Sequence, residues 1–172
     1  MGNQQSQFEA LIIPHAPALL RFARRLSGSA TVAEDLVQDA LLRAWRSVDT
    51  VRNHANPKAW VFRILLNTWY SEGRRRSARP VEAPLAEAAR VGQASPGDTS
   101  EMMQALGRLP EEQRSVLLLT VVEGFTGQEV AGMLDIPAGT VMSRVSRARA
   151  AMRASLSEEA AGEQKKAGVG LP

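Results

Sequence analysis

Thr140, Ser143, Arg144, Arg147 and Arg149 crowd hydroxyl donors and permanent positive charge onto one short stretch. These residue types neutralise phosphates and hydrogen-bond base edges, and they do no covalent chemistry. A second polar series is formed by Arg63, Asn67 and Ser71, spaced i, i+4, i+8, and it leads to Arg74 and Arg75. At that spacing the side chains form one continuous ridge on a helix. Asn53 and His54 in the polar stretch upstream join this set as candidates for contact with unpaired bases. A third series, Asp35, Gln38, Asp39, Leu42 and Arg43, mixes short acids with a central apolar residue, as a protein-docking face would. There is no Gly-rich phosphate loop, no H-E-x-x-H and no G-x-S-x-G, so no enzymatic activity is expected. With 0 cysteines and 2 histidines, neither a metal site nor a cofactor is expected, and no small-molecule substrate.

Net charge is only +3, but the arginines are clustered at Arg21, Arg24 and Arg25, at Arg74, Arg75, Arg76 and Arg79, and at Arg144, Arg147, Arg149 and Arg153. Each cluster can displace counterions from a nucleic acid locally, which counts for more than the total. No apolar run approaches the ~20 residues that span a bilayer, and the first ten residues lack a signal-peptide pattern, so a cytoplasmic protein without membrane contact is expected.

The elements that position these residues read as helical throughout, with no convincing alternation for a strand. Thr126-Gly127-Gln128-Glu129 predicts a capping box, and Phe125 with Val130 a hydrophobic staple. Asp135-Ile136-Pro137 predicts a short turn. Beyond it Val141, Val145, Ala148 and Met152 mark one apolar face of a second helix. A helix-turn-helix with a cationic outer face is thereby predicted over Phe125 to Arg153, with Ser143, Arg144 and Arg147 toward a groove and Arg149 and Arg153 on the backbone.

Upstream, Ser6 to Glu9 and Thr31 to Glu34 read as further capping boxes. A helix carrying Leu19, Leu20, Phe22, Ala23 and Leu26 inward is expected to stop near Gly28. The next places Ala33, Leu36, Val37, Ala40, Leu41, Ala44 and Trp45 on its buried face. Residues 47–56 read as a polar loop, after which Asn56 caps a helix opened by Pro57. Trp60 and Trp69 lie nine residues apart, on opposite sides of that helix at 100° per residue. Trp60 is expected in the core, and Trp69 is open to either role. Met102, Met103, Leu106 and Leu109 are expected inward. Pro110 with Glu111 and Glu112 opens a strongly apolar helix that Gly124 stops, mostly core but with part of Val116 to Val122 left open. The expected organisation is all-α: a helical domain over 1–76, a flexible linker over 77–99, a helix-turn-helix domain over 100–156, and a disordered tail over 157–172.

The chain resembles the extracytoplasmic-function sigma factors of bacterial RNA polymerase along nearly its whole length. Ala33-Glu34-Asp35-Leu36-Val37-Gln38-Asp39-Ala40 with Leu42-Arg43-Ala44-Trp45 looks like the region-2 segment that grips the polymerase clamp. Asn56-Pro57-Lys58-Ala59-Trp60 with Ile64 and Asn67 looks like the segment that melts and reads the −10 element. Gly139-Thr140-Val141 with Ser143-Arg144 and Arg147-Ala148-Arg149 looks like the −35-reading helix of region 4. The resemblance implies a region 2-like bundle and a region 4-like domain that bind core polymerase and promoter DNA. It also implies a flipped base held by the 47–56 loop, a neighbouring base read by the Arg63 ridge, and phosphates held by Arg74 and Arg75. Most relatives are acidic where this chain has Ser71, and many carry lysine where it has Met142. Asn67-Thr68-Trp69-Tyr70-Ser71-Glu72 resembles the general-stress-response subgroup of alphaproteobacteria, which implies a small helical anti-sigma factor as a further partner. The rival readings are a stand-alone helix-turn-helix regulator and a sigma mimic that never touches DNA.

Overall fold

The computed structural model describes residues 2–51, 55–78 and 101–167, and among them every regular element is helical. Asn53, His54 and most of the expected linker lie outside the described residues. The first bundle contains α1 (Gly2–Leu11), a 3₁₀ turn (Ile13–His15), α2 (Ala16–Ser27), α3 (Ala30–Arg46), α4 (Val48–Val51) and α5 (Pro57–Ala78). The second contains α6 (Glu101–Arg108), α7 (Glu111–Leu117), a π-helical turn (Leu118–Val122), α8 (Gly127–Leu134) and α9 (Ala138–Ala167).

Helix boundaries follow local chemistry, with some departures from expectation. Gly28 adopts φ +70° and closes α2, so the chain reverses early and Ser29, extended at φ −136°, caps α3 by accepting from Val32 N–H. Thr31 therefore lies inside α3 rather than capping it, and Glu34 pairs with Arg24 at 3.1 Å. Ser6 likewise falls within α1, where Gln5 donates to Glu9. The expected 47–56 loop contains the short α4, because Val48 and Val51 bury fully and draw the chain back onto the bundle. Asn56 caps α5 as expected, accepting from Ala59 N–H at 3.1 Å. α9 runs on to Ala167, well into the expected tail; its Ala, Glu, Gln and Lys content is strongly helix-forming.

The two bundles pack against each other through α5. α5 lies between them, packed on α3 to one side and α8 to the other. That sandwich buries both Trp60 and Trp69, although they point in opposite directions. Phe22, Phe62 and Phe125 form an edge-to-face chain across the junction, with centroids 5.3 and 5.4 Å apart. Each such pair adds ~0.5–1.5 kcal/mol beyond its area burial.

Arg114 on α7 is only 6% exposed. Its guanidinium donates to the carbonyls of Leu26 (2.7 Å), Gly107 (2.8 Å) and Leu109 (2.9 Å). Leu26 sits in the last turn of α2, where carbonyls have no helical partner, so an arginine of the second bundle completes a helix end of the first. Burial pulls the guanidinium pKa down, and Glu111 opposes the shift.

Candidate polymerase and promoter interfaces

The capping box at α8 forms in full. Thr126 N–H donates to the Glu129 carboxylate at 2.8 Å, and Glu129 N–H returns to Thr126 Oγ1 at 3.2 Å. Phe125 and Val130 are both buried, as a staple requires. The Thr126 amide and hydroxyl, followed by the Asn56 side chain, hold the Glu129 carboxyl below its ordinary range. Asp135 closes α8 in the left-handed region at φ +54°, and Pro137 accepts the first backbone bonds of α9.

Val141, Val145, Ala148 and Met152 all bury, fixing the rotation of α9. Ser143 and Arg147 then face solvent together: Arg147 donates to the Ser143 carbonyl (3.2 Å) and hydroxyl (3.1 Å), and Ser143 Oγ donates to the Thr140 carbonyl (3.0 Å). Arg144 leans away from this pair and is ion-paired with Glu112 of α7. Arg149 does not join the face either. It lies about 180° around the helix from Thr140 at 100° per residue. There, with Arg25 and Arg153, it rims an apolar groove of about 480 Å³. The groove floor is built by the π turn, which leaves Val121 and Val122 half-exposed, together with Leu117 and Met152. Met102, expected in the core, also opens onto this groove, because α6 is a short surface helix with only Ala105 and Leu106 fully inward. Met142 is exposed, its sulfur against Gly127 at the start of α8.

On α5, Arg63, Asn67, Arg74 and Arg75 are exposed and Ser71 half-buried, with Arg74 donating to Ser71 Oγ at 3.3 Å. The i, i+4, i+8 ridge therefore exists as a surface. On α3, Asp35, Gln38, Asp39 and Arg43 are exposed, and Leu42 is 49% exposed, an apolar residue set among polar ones. Trp45, expected in the core, is 37% exposed and meets Phe8 of α1 edge-to-face, with ring centroids 5.2 Å apart.

The sigma-70 region 2 family model matches residues 11–79, and the sigma-70 region 4 model matches residues 99–152. The ECF RNA polymerase sigma factor EcfG of Rhodopseudomonas palustris (strain TIE-1) is 39% identical over 84% of this chain and 82% of its own length. The chain belongs to the extracytoplasmic-function family of RNA polymerase sigma factors. Members of this family bind core polymerase and direct initiation at promoters. The structure of the sigma factor RpoE in complex with the anti-sigma factor NepR from Bartonella quintana aligns with a TM-score of 0.69 and 32% identity, covering 91% of this chain and 98% of that one. That of CnrH with the cytosolic domain of CnrY aligns at 0.63 and 32%, covering 90% of each chain. Among the described residues there is no helix long and apolar enough to cross a membrane, and no group of three potential metal ligands. The buried Arg114 was not singled out from the sequence. No local signal marks it, since it is one arginine among many until α2 is placed against it.

Proposed function

We propose that this sigma factor grips core polymerase through the outer ridge of α3 (Asp35, Gln38, Asp39, Leu42 and Arg43). Arg63, Asn67 and Ser71 on α5 then read the opened −10 strand, with Arg74 and Arg75 on its phosphates and Asn53 and His54 at the flipped base. The α9 face of Thr140, Ser143 and Arg147 anchors duplex DNA at −35, with Arg144 reaching it when its pair with Glu112 opens. Arg149 acts on the opposite face. The reading rests on one observation: the ridges on α3, α5 and α9 are all solvent-facing, in the order in which the family uses them. The chain itself performs no covalent step; the polymerase does, in the cytoplasm.

The likeness to EcfG and to an RpoE–NepR complex supports a stress-response sigma factor held by a small helical anti-sigma factor. The groove over Val121 and Val122 fits an amphipathic helix, and its arginine rim favours one with acidic flanks. Run-off transcription with core polymerase tests the assignment. Arg147→Ala should weaken promoter-dependent initiation by about tenfold, in line with a lost base or phosphate contact of ~1–3 kcal/mol, and Arg144→Ala should weaken it less. Full activity of the Arg144→Ala, Arg147→Ala double variant would remove α9 as the −35 reader.

A further inference from the structure

Met142 stands 59% exposed on α9, and among the described residues of that helix it is the one large apolar side chain left in solvent. Its neighbours on the outer face end in hydrogen-bonding groups: Ser143, Ser146 and Arg147 are all exposed. At 100° per residue Ser143 falls between Met142 and Arg147, so the three form one arc of about 140° around the helix. Met142 lies in the first turns of α9, the stretch that a recognition helix lays against base edges. The side chain also has a seat. A Cβ on Gly127, the first residue of α8, would come 3.3 Å from Met142 Sδ, so the thioether rests over backbone that glycine leaves uncovered. Met142 thereby bridges the N-terminal ends of both helices, the side on which a helix-turn-helix meets DNA.

We infer that Met142 is a specificity residue: its thioether end packs on the 5-methyl group of a thymine in the major groove of the −35 duplex. Of the groups that base pairs present there, the thymine methyl is read by apolar contact, whereas the others are hydrogen-bond donors and acceptors. The tips of Ser143 and Arg147 serve those donors and acceptors and gain little from a methyl. A flexible, polarisable thioether moulds to one without demanding exact geometry. The contact removes an exposed apolar side chain and an exposed methyl from water together. It therefore favours a T·A pair over a C·G pair, whose pyrimidine carries no methyl. The inference rests on α9 as the −35 reader.

The probe is a promoter duplex selected from a random library with the full chain assembled on core polymerase. Each thymine of its upstream element, on either strand, is replaced singly by deoxyuridine, which removes the methyl and keeps every hydrogen bond. At one position the wild type should bind about fourfold more weakly, the equivalent of the ~0.8 kcal/mol that one buried CH₂-sized group contributes. Met142→Ala should bind the thymine and uracil duplexes equally, because the lost interaction is pairwise. Met142→Leu keeps an apolar tip of similar volume and should retain the difference. Met142→Lys should lose it while steepening the salt dependence, since a cation there takes up a phosphate. A uracil effect of the same size in the wild type and Met142→Ala overturns the inference. So does the lack of any uracil effect in the wild type, or a selected upstream element without thymine. Undiminished binding of the same duplex by Arg147→Ala instead counts against α9 as the reader.

Discussion

Arg114→Ala is expected to be among the most destabilising single changes in this chain. The substitution deletes a guanidinium that donates to three carbonyls, two in its own bundle and one, Leu26, in the other. Hydrogen bonds from a charged donor contribute ~1.5–3 kcal/mol each. The cost of desolvating the buried cation offsets several kcal/mol of that sum. Truncation then leaves the carbonyls unpaired around a cavity, and a net loss of about 3 kcal/mol follows. At ~2–4 °C per kcal/mol for a chain of this size, the melting temperature should fall by about 6–12 °C. Arg114→Lys keeps the charge but not the planar fork, and should lose about half as much. Arg114→Met refills most of the volume and should fall between them. Urea unfolding with parallel calorimetry gives the numbers. A loss below about 1 kcal/mol for Arg114→Ala would refute the reasoning, since it would mean that the carbonyls are satisfied without the guanidinium.

Two further outcomes follow from local geometry. Glu129 has its pKa depressed in the folded state, so its stabilising contribution is complete above the ordinary glutamate value of 4.5 and is lost as pH falls through the lowered one. The melting temperature should thus decline more steeply on acidification for the wild type than for Glu129→Gln, and parallel pH profiles would exclude this linkage. Leu42→Asp places a charge on an already exposed position, so stability should shift by no more than about 0.5 kcal/mol. Core-polymerase affinity, measured by anisotropy, should nevertheless fall at least tenfold, and unchanged affinity would move the docking face away from α3.

The parts of this molecule set by short-range periodicity were legible in the sequence. The stripe Val141, Val145, Ala148 and Met152 fixes the rotation of α9, and the Arg63, Asn67 and Ser71 ridge faces outward because the opposite side of α5 is apolar. The rest was decided by a second element. Trp60 buries as expected, and Trp69, which the sequence left open to either role, buries too because α5 is covered from two sides. Thr31 carried the capping-box signature, but the left-handed turn at Gly28 reverses the chain early and puts Ser29 at the cap instead. From the sequence Arg144 and Arg147 both pointed toward the DNA groove and Arg149 toward the DNA backbone. The neighbouring Glu112 and the bulk of the groove separated their roles. Trp45 carried the right period for the core, but lay at the edge where the bundle ends against α1.

The continuity of α9 has a mechanical consequence. One unbroken rod carries Ser143 and Arg147 on one side, while Met152 and Leu156 line the groove on the other. Arg147 and Leu156 are nine residues apart, about 14 Å along the axis at 1.5 Å per residue. A ligand wedged into the groove that tips the rod by about 10° would swing the Arg147 end by ~2 Å, more than a hydrogen bond tolerates. Occupancy of the groove can thus be transmitted as leverage to the duplex-facing end without any change in the helix itself.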